Sequence, residues 1–596
     1  MTSYAYLPLQ GPSDIRILYI YSAVDHTDPL SGKLVHVNLD DPPLYYALSY
    51  TWGSPELCSR ITLDGGADLA ITANLDQALR RLRARTQSGM PSTLLCIWAD
   101  GICINQTDVP ERNQQVGLMR RIYSQCRSGL IYLGEEADGS EEIPGFLRRL
   151  VPGIVSDKGN NKNWHENPLL PDENDPGWKA LHSLFERPWF LRVWIIQEFA
   201  LPRDLLMICG EWELEGDLLA QMAMIPTLNH SRQALGGLET VEGSDFARAW
   251  LHQELLLRCR HSLGHSLLYR DFDALREHAL GRMELLWSCR HCKATDPRDH
   301  YFALLGLTPD VSQEPTLAAD YSKAIEDVTI DYGRYFINSG LGHAILYLSN
   351  DAEAPDESRP SWLPNFTRFS ISGDKIWWLH EGKEHGVSIS IGSTELRSLL
   401  VSGSLLDTVV VLGGEKGLQG LNPSYWREDW IEEIDSLVAG IKSYPSGIDI
   451  EEAVCRTIIA DTSLENEKPA PGYYYQLYRL CRKVKNESFR VQGLTGDVIA
   501  TLGEMLKEAE LFDMAVAMLA TSRFCVTEDG FFGMVPRLTR PGDMIFTIQG
   551  DEQRATFVVR KDMARDSYQW LGHAYVHDIW SVREYEKLAW EMITVD

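Results

Sequence analysis

The chain reads as an α/β protein, with a wound parallel sheet at the N-terminal end, a helical region after it, and a mixed region ending in small β structure. Two continuous apolar runs carry the first part. Leu94-Leu95-Cys96-Ile97-Trp98-Ala99 and Leu130-Ile131-Tyr132-Leu133-Gly134 have strand length without polar alternation, as strands covered on both faces require. Between them Val116, Met119, Ile122 and Tyr123 recur at helical spacing, and strand, helix, strand is what a parallel crossover needs. At the other end, residues 523–577 break into short runs at glycine turns, the pattern of a small barrel or sandwich.

Taken in order, Ile15-Arg16-Ile17-Leu18-Tyr19-Ile20 alternates like a strand, and Tyr46-Ala47-Leu48-Ser49-Tyr50 is another, stopped by Thr51-Trp52-Gly53-Ser54-Pro55. A hairpin follows over 61–71 with Asp64-Gly65-Gly66 as its turn. Asn74 is placed to cap a helix whose inner face is Leu75, Ala78, Leu79 and Leu82. Pro110 and Glu111 open the next helix. Residues 135–177 have the loop chemistry of an insertion, and helix resumes over 178–200 with a break at Pro188. The stretch from about 215 to 345 is mostly helical, including 250–261 and 269–287. Strand-rich pieces near 385–412 and 523–577 flank helix from about 424 to 518. The expected domains are 1–215 (α/β), 216–345 (helical) and 346–596 (mixed α/β).

Length and charge narrow the function classes. A chain of 596 residues exceeds one compact core, and 44% hydrophobic with 23% charged residues is ordinary globular composition. With 56 Lys and Arg against 84 Asp and Glu, the net charge is −28, which repels phosphate backbones and anionic lipid heads. Nucleic-acid binding is not expected, nor is a membrane span, since no apolar run is long enough. Eleven scattered cysteines after an N-terminus without a secretory pattern read as reduced thiols, with the cytoplasm as compartment. Cys289-Arg290-His291-Cys292, with Cys259, His261 and His265 upstream, has metal-like spacing but lies on expected helices, so no metal is assigned. A nucleophile elbow, a Walker loop and a dinucleotide glycine fingerprint are all missing, so no resident cofactor is expected.

Four segments share one pattern: Ala47-Leu48-Ser49-Tyr50-Thr51-Trp52-Gly53; Ile97-Trp98-Ala99-Asp100-Gly101-Ile102-Cys103-Ile104-Asn105-Gln106; Arg187-Pro188-Trp189-Phe190-Leu191-Arg192-Val193-Trp194-Ile195-Ile196-Gln197-Glu198; and Asp296-Pro297-Arg298-Asp299 through Tyr301-Ala303-Leu304-Leu305-Gly306-Leu307. Together they resemble the fungal heterokaryon-incompatibility (HET) family, and the tail around Pro541-Gly542-Asp543 and Tyr575-Val576-His577 resembles that family's C-terminal end. The family usually has Ile-Asp-Ala where this chain has Ala99-Asp100-Gly101, and the glycine is expected to loosen the strand exit. The same segments are more distantly similar to TIR domains, whose first strand ends Ser-Tyr, whose later strand ends in Asp, and whose catalytic glutamate cleaves NAD. That resemblance implies the catalytic role for Glu198, although residues 135–193 are longer than the TIR counterpart.

The residues themselves leave alternatives. Trp194 and Glu198 are i and i+4, so on a helix they share a face. A carboxylate beside an indole suits cleavage of a nicotinamide–ribose bond through an oxocarbenium-like transition state. The other reading pairs Glu198 with Arg192 or Arg187 and puts Trp194 in the core. Asp100 ends a buried strand, where wound sheets bind ligands, or else caps the turn after it. Tyr50, Thr51 and Trp52 form a cleft wall, or Trp52 plugs the core. Asn105 and Gln106 contact a ligand, or satisfy backbone groups in a tight loop.

What the HET resemblance implies is an effector of non-self recognition and programmed cell death in fungal innate immunity; the more distant TIR resemblance adds NAD hydrolysis, with NAD as substrate rather than cofactor. Self-association or another incompatibility protein is the expected partner. Two alternatives stand beside it: a non-catalytic signalling module that works by oligomerisation, and a HET-type protein recruited to specialised metabolism as an accessory or biosynthetic enzyme.

Overall fold

The computed structural model describes residues 2–23, 25, 27–85, 94–157, 171–172, 175–216, 218, 278–307, 314–349, 359–368, 389–391, 397–414, 428–463, 467–486 and 522–596. The chain divides into two compact units, Met1–Val328 and Thr329–Asp596. The expected helix over 250–261, the upstream Cys259, His261 and His265, and most of the expected helical region 216–345 before 278 lie outside the described residues.

The first unit is α/β. Its elements are β1 (Thr2–Ser3), β2 (Asp14–Tyr21), β3 (Leu30–Asn38), β4 (Tyr46–Tyr50), β5 (Ser59–Leu63), β6 (Ala67–Ile71), α1 (Ala73–Arg85), β7 (Leu94–Trp98), α2 (Asp100–Cys103), α3 (Val109–Gln125), β8 (Ser128–Tyr132), α4 (Ile143–Asp157), α5 (Pro176–Phe185), α6 (Ile195–Ala200), β9 (Leu205–Cys209) and β10 (Trp212–Glu215). Among the described residues the strands form one sheet in the order β1-β6-β5-β3-β2-β7-β4-β8-β9-β10. The wound, parallel part is β7-β4-β8-β9. On either side of it the chain returns by hairpins: β2 lies antiparallel to both β7 and β3, and β10 is antiparallel to β9. The run 15–20 is therefore not one of the wound strands. Residues 22–29 join β2 to β3 directly, too few for the crossover that a parallel pair needs.

The chain leaves β4 for β7 on one side and then crosses to β8 on the other. At such a switch of direction the loops after the strand ends diverge and a crevice opens at their carboxyl ends. The residues after β4, β7 and β8 lie at those carboxyl ends. Their approach is fixed by a buried ion pair. Arg16 on β2 and Glu111 on α3 are 0% and 8% exposed and form a two-pronged bond of 2.6 and 2.8 Å. Arg16 also donates to the Cys103 carbonyl (3.1 Å), and Glu111 accepts from the Asn105 amide (2.6 Å), so the loop 103–111 is clamped from both ends.

Two local expectations need correcting. Asn74 does not cap α1; the Leu75 amide donates to the Thr72 hydroxyl (3.3 Å), while the Asn74 amide nitrogen donates to the Thr51 carbonyl (3.1 Å) and holds the loop after β4. Gly101 does not loosen the strand exit, because it sits inside α2, where a Cβ would stand 2.5 Å from the Tyr50 hydroxyl. The helix α3 is capped by Asp108, which accepts from the Glu111 amide (3.1 Å), and buries Val116, Met119, Ile122 and Tyr123.

The second unit holds the β-rich end. Its strands are β11 (Ile389–Ile391), β12 (Leu399–Leu412), β13 (Ser522–Thr527), β14 (Phe532–Pro536), β15 (Met544–Ile548), β16 (Thr556–Asp562), β17 (Ser567–Val576) and β18 (Glu591–Val595). The path β12-β13-β14-β17-β16-β15 closes because β12 also pairs with β15, which makes a barrel. One long strand serves both neighbours: register shifts at Leu405/Asp407 and Val409/Val411 bend β12 from β15 to β13. Gly530 and Gly542 take φ of 87° and 94° at two hairpin turns, a conformation other residues rarely adopt. Helices Glu428–Val438, Ile450–Ile458 and Tyr473–Asn486 supply Trp430, Ile434, Val454, Ile458 and Tyr478 to one core with barrel residues such as Phe524 and Val535. Among the described residues no helix is long and apolar enough to cross a membrane.

Candidate functional site

The strand ends at the switch point carry alternating chemistry. On β4, Ser49 and Tyr50 are both buried and point to opposite faces of the sheet. Ser49 faces α6: its hydroxyl donates to Glu198 Oε2 at 2.5 Å and accepts from the Trp189 indole at 2.8 Å. Tyr50 turns the other way, toward the Asp100 carboxylate; its own burial and then that charge raise the Tyr50 pKa. Arg192 spans the two, donating to the Tyr50 carbonyl (2.5 Å) and standing 3.4 Å from Glu198 Oε2.

The carboxylates differ in access. Glu198 is 3% exposed, and burial pushes its pKa up from the usual 4.5; Arg192 and then the Ser49 hydroxyl work against the rise, and the Asp100 charge adds to it. Arg192 is held charged because Glu198 and Asp100 outweigh its own burial. Asp100 lies nearer solvent, where one oxygen accepts from the Gly101 amide (2.7 Å) and the other from the Trp52 indole (2.9 Å). Trp52 is 36% exposed, so it lies over Asp100 as an outer wall rather than inside the core. Thr51 is held by Asn74 through its carbonyl.

The other nominated residues sit around this centre. The Gln106 side chain donates to the Asp100 carbonyl (2.9 Å). Asn105 accepts from the Thr107 amide and hydroxyl, which closes the turn after α2. Trp194 precedes α6, and its side chain lies beside Asp299, which accepts from the Tyr321 hydroxyl at 2.6 Å. Arg187 reaches the Leu133 carbonyl and Cys209 rather than Glu198. Among the described residues no three His, Cys, Asp or Glu side chains are grouped to hold a metal.

The structure thus gathers Tyr50, Trp52, Asp100, Arg192 and Glu198 at one end of the sheet and leaves Trp194 facing a separate cluster. Ser49 and Trp189 were not nominated from sequence, although a serine in an otherwise apolar buried strand is itself a signal. Tyr321 carried no such mark, and Asp299 stood out only within the Asp296-Pro297-Arg298-Asp299 segment.

Residues 45–198 match the family described as Heterokaryon incompatibility protein (HET). That stretch is similar to a HET domain. Every residue of the cluster lies inside that match. Residues 499–583 match the Het-6 beta-barrel domain, which covers β13 through β17 of the barrel. Over nearly its whole length the chain is similar to "Heterokaryon incompatibility protein 6, OR allele" of Neurospora crassa: 24% identical over a 659-residue alignment that spans 97% of this chain and 95% of that protein. No solved structure matches significantly.

Proposed function

We propose that this chain is a HET-type effector of heterokaryon incompatibility, and that its HET domain ends a cell by cleaving the nicotinamide–ribose bond of NAD. The observation that carries the catalytic part is the placement of Glu198 beside Arg192 and the ends of β4 and β7, with its acid pushed up by burial. In its ionised form, which Arg192 and the Ser49 hydroxyl support against burial, that carboxyl group orients ribose hydroxyls and stabilises the positive charge that develops as nicotinamide departs. Asp100 and the Trp52 indole offer an acceptor and a stacking face at the outer rim. Because Glu198 is 3% exposed, substrate reaches it only after the rim at Trp52 and Arg192 moves, and self-association or an incompatibility partner is the proposed trigger.

That same burial favours a second reading, in which Glu198 is a structural anchor and toxicity comes from the assembled protein. The deciding experiment is nicotinamide release from NAD by the purified full-length chain, wild type against Glu198→Gln, with size measured in parallel. Release that the variant loses at unchanged assembly supports cleavage. Equal release, or none in any assembled state, removes the catalytic part and leaves the assembly reading.

A further inference from the structure

The barrel unit contains a cavity of about 720 Å³ beside the β16–β17 hairpin, the size of a small-molecule site. In a chain of net charge −28 its lining is inverted: Arg359, Arg397, Arg560, Lys561 and Arg565 stand against Asp562 and Asp596. Trp570 and Tyr568, both buried, give it an aromatic wall.

Arg560 is the built part. Its Nε and Nη2 donate to the two oxygens of buried Asp543 at 2.8 and 2.7 Å, and Nη2 also donates to the Leu538 carbonyl at 2.8 Å. These bonds fix the guanidinium from behind and leave Nη1 without a hydrogen bond on a side chain that is 22% exposed. A guanidinium held this way has lost its rotamer entropy before any ligand arrives and keeps a free edge for an oxyanion. The neighbouring cations are held loosely: Lys561 is 3.4 Å from an almost fully exposed Asp566, and Arg565 is 3.9 Å from Asp562. Pairs of that kind contribute little and exchange readily for a better anion.

We infer that this cavity binds a small phosphorylated molecule, its phosphates on Arg560, Lys561 and Arg565 and its ring against the aromatic wall. The site is separate from the HET-domain cluster and does not rest on NAD cleavage. The test is calorimetric titration of the full-length chain with inorganic pyrophosphate and with ATP. The variants are Arg560→Gln and the exposed pair Lys561→Gln/Arg565→Gln. Binding weakened roughly tenfold or more in each variant supports the site. Pyrophosphate as tight as ATP assigns recognition to phosphate alone, and ATP tighter adds the ring. The exposed pair decides the outcome if Arg560→Gln does not fold. No binding of either probe, or affinities that the exposed pair leaves unchanged, overturns the inference.

Discussion

Replacing Ser49 with alanine isolates the connection between the central strand and the acid. Ser49, Trp189 and Glu198 are 1%, 1% and 3% exposed, so water does not replace what the hydroxyl does. The variant leaves the Trp189 indole N–H without its acceptor, which costs about 1–3 kcal/mol for a buried donor. It also removes a hydrogen bond to a carboxylate, roughly another 1.5–3 kcal/mol where the acid is ionised. Together these give a loss on the order of 3–5 kcal/mol at neutral pH, a fall in melting temperature on the order of 5–10 °C for a unit of this size. The loss also has a pH signature. The hydroxyl supports the ionised form of Glu198, so without it burial pushes the acid further up. A native state that holds its proton more tightly than the unfolded chain loses stability as pH rises through the raised value. The deficit of the variant therefore shrinks toward the usual 4.5 and below, and widens at pH 7. Scanning calorimetry of both proteins at pH 4 and 7 reads this out. A deficit under about 1 kcal/mol at pH 7, or one equal at both pH values, refutes the bridge.

Three further outcomes follow from the same geometry. Glu198→Gln removes a charge that burial disfavours, so it raises the melting temperature at pH 7 and has no effect where wild-type Glu198 is already protonated; a melting temperature lowered at pH 7 would show that the Arg192 pairing dominates. Glu111→Ala leaves Arg16 charged and 0% exposed, and urea unfolding is expected to show a loss of about 3–5 kcal/mol. Gly403→Ala places a Cβ 2.3 Å from the Thr547 carbonyl where β12 meets β15, so the barrel unit loses about 1–3 kcal/mol, measured by its own thermal transition.

How much of this was legible depended on whether the information was local. The strands β4 and β7 and the inner face of α3 are written in contiguous apolar spacing, and β5–β6 in a Gly-Gly turn, so sequence located them closely. The barrel's closure is not local: Gly403 pairs with Ile548, and nothing near either residue encodes the partner. The site divides in the same way. Asp100 and Tyr50 were marked by their place at strand ends, where topology rather than distant contacts decides what faces the crevice. The Trp194–Glu198 spacing holds as one helical turn, since Trp194 has helical backbone and its carbonyl accepts from the Glu198 amide at 3.3 Å, but spacing does not say what each side chain meets. From there one side chain reaches β4 and the other reaches Asp299, a residue that spacing alone gave no reason to connect.

That separation explains why the segment after the HET match belongs to its physics. Residues 191–193 are bridged to Lys293, with backbone bonds of 2.5 and 3.2 Å. The Gln197 side chain donates to the Ala303 carbonyl at 2.7 Å, and Asn113 on α3 accepts from the Tyr321 amide at 2.9 Å. Arg112 stacks 3.9 Å from the Tyr321 ring, whose hydroxyl donates to Asp299. The Lys293 and Ala303 bonds fix residues within a few positions of Arg192 or Glu198, the Tyr321 contacts fix α3, and all three partners lie outside residues 45–198. A six-residue helix cannot hold itself against solvent. Residues 293 and 303 thus help hold the segment that carries the acid, and the Asp-Pro-Arg-Asp motif lies between those two contact points.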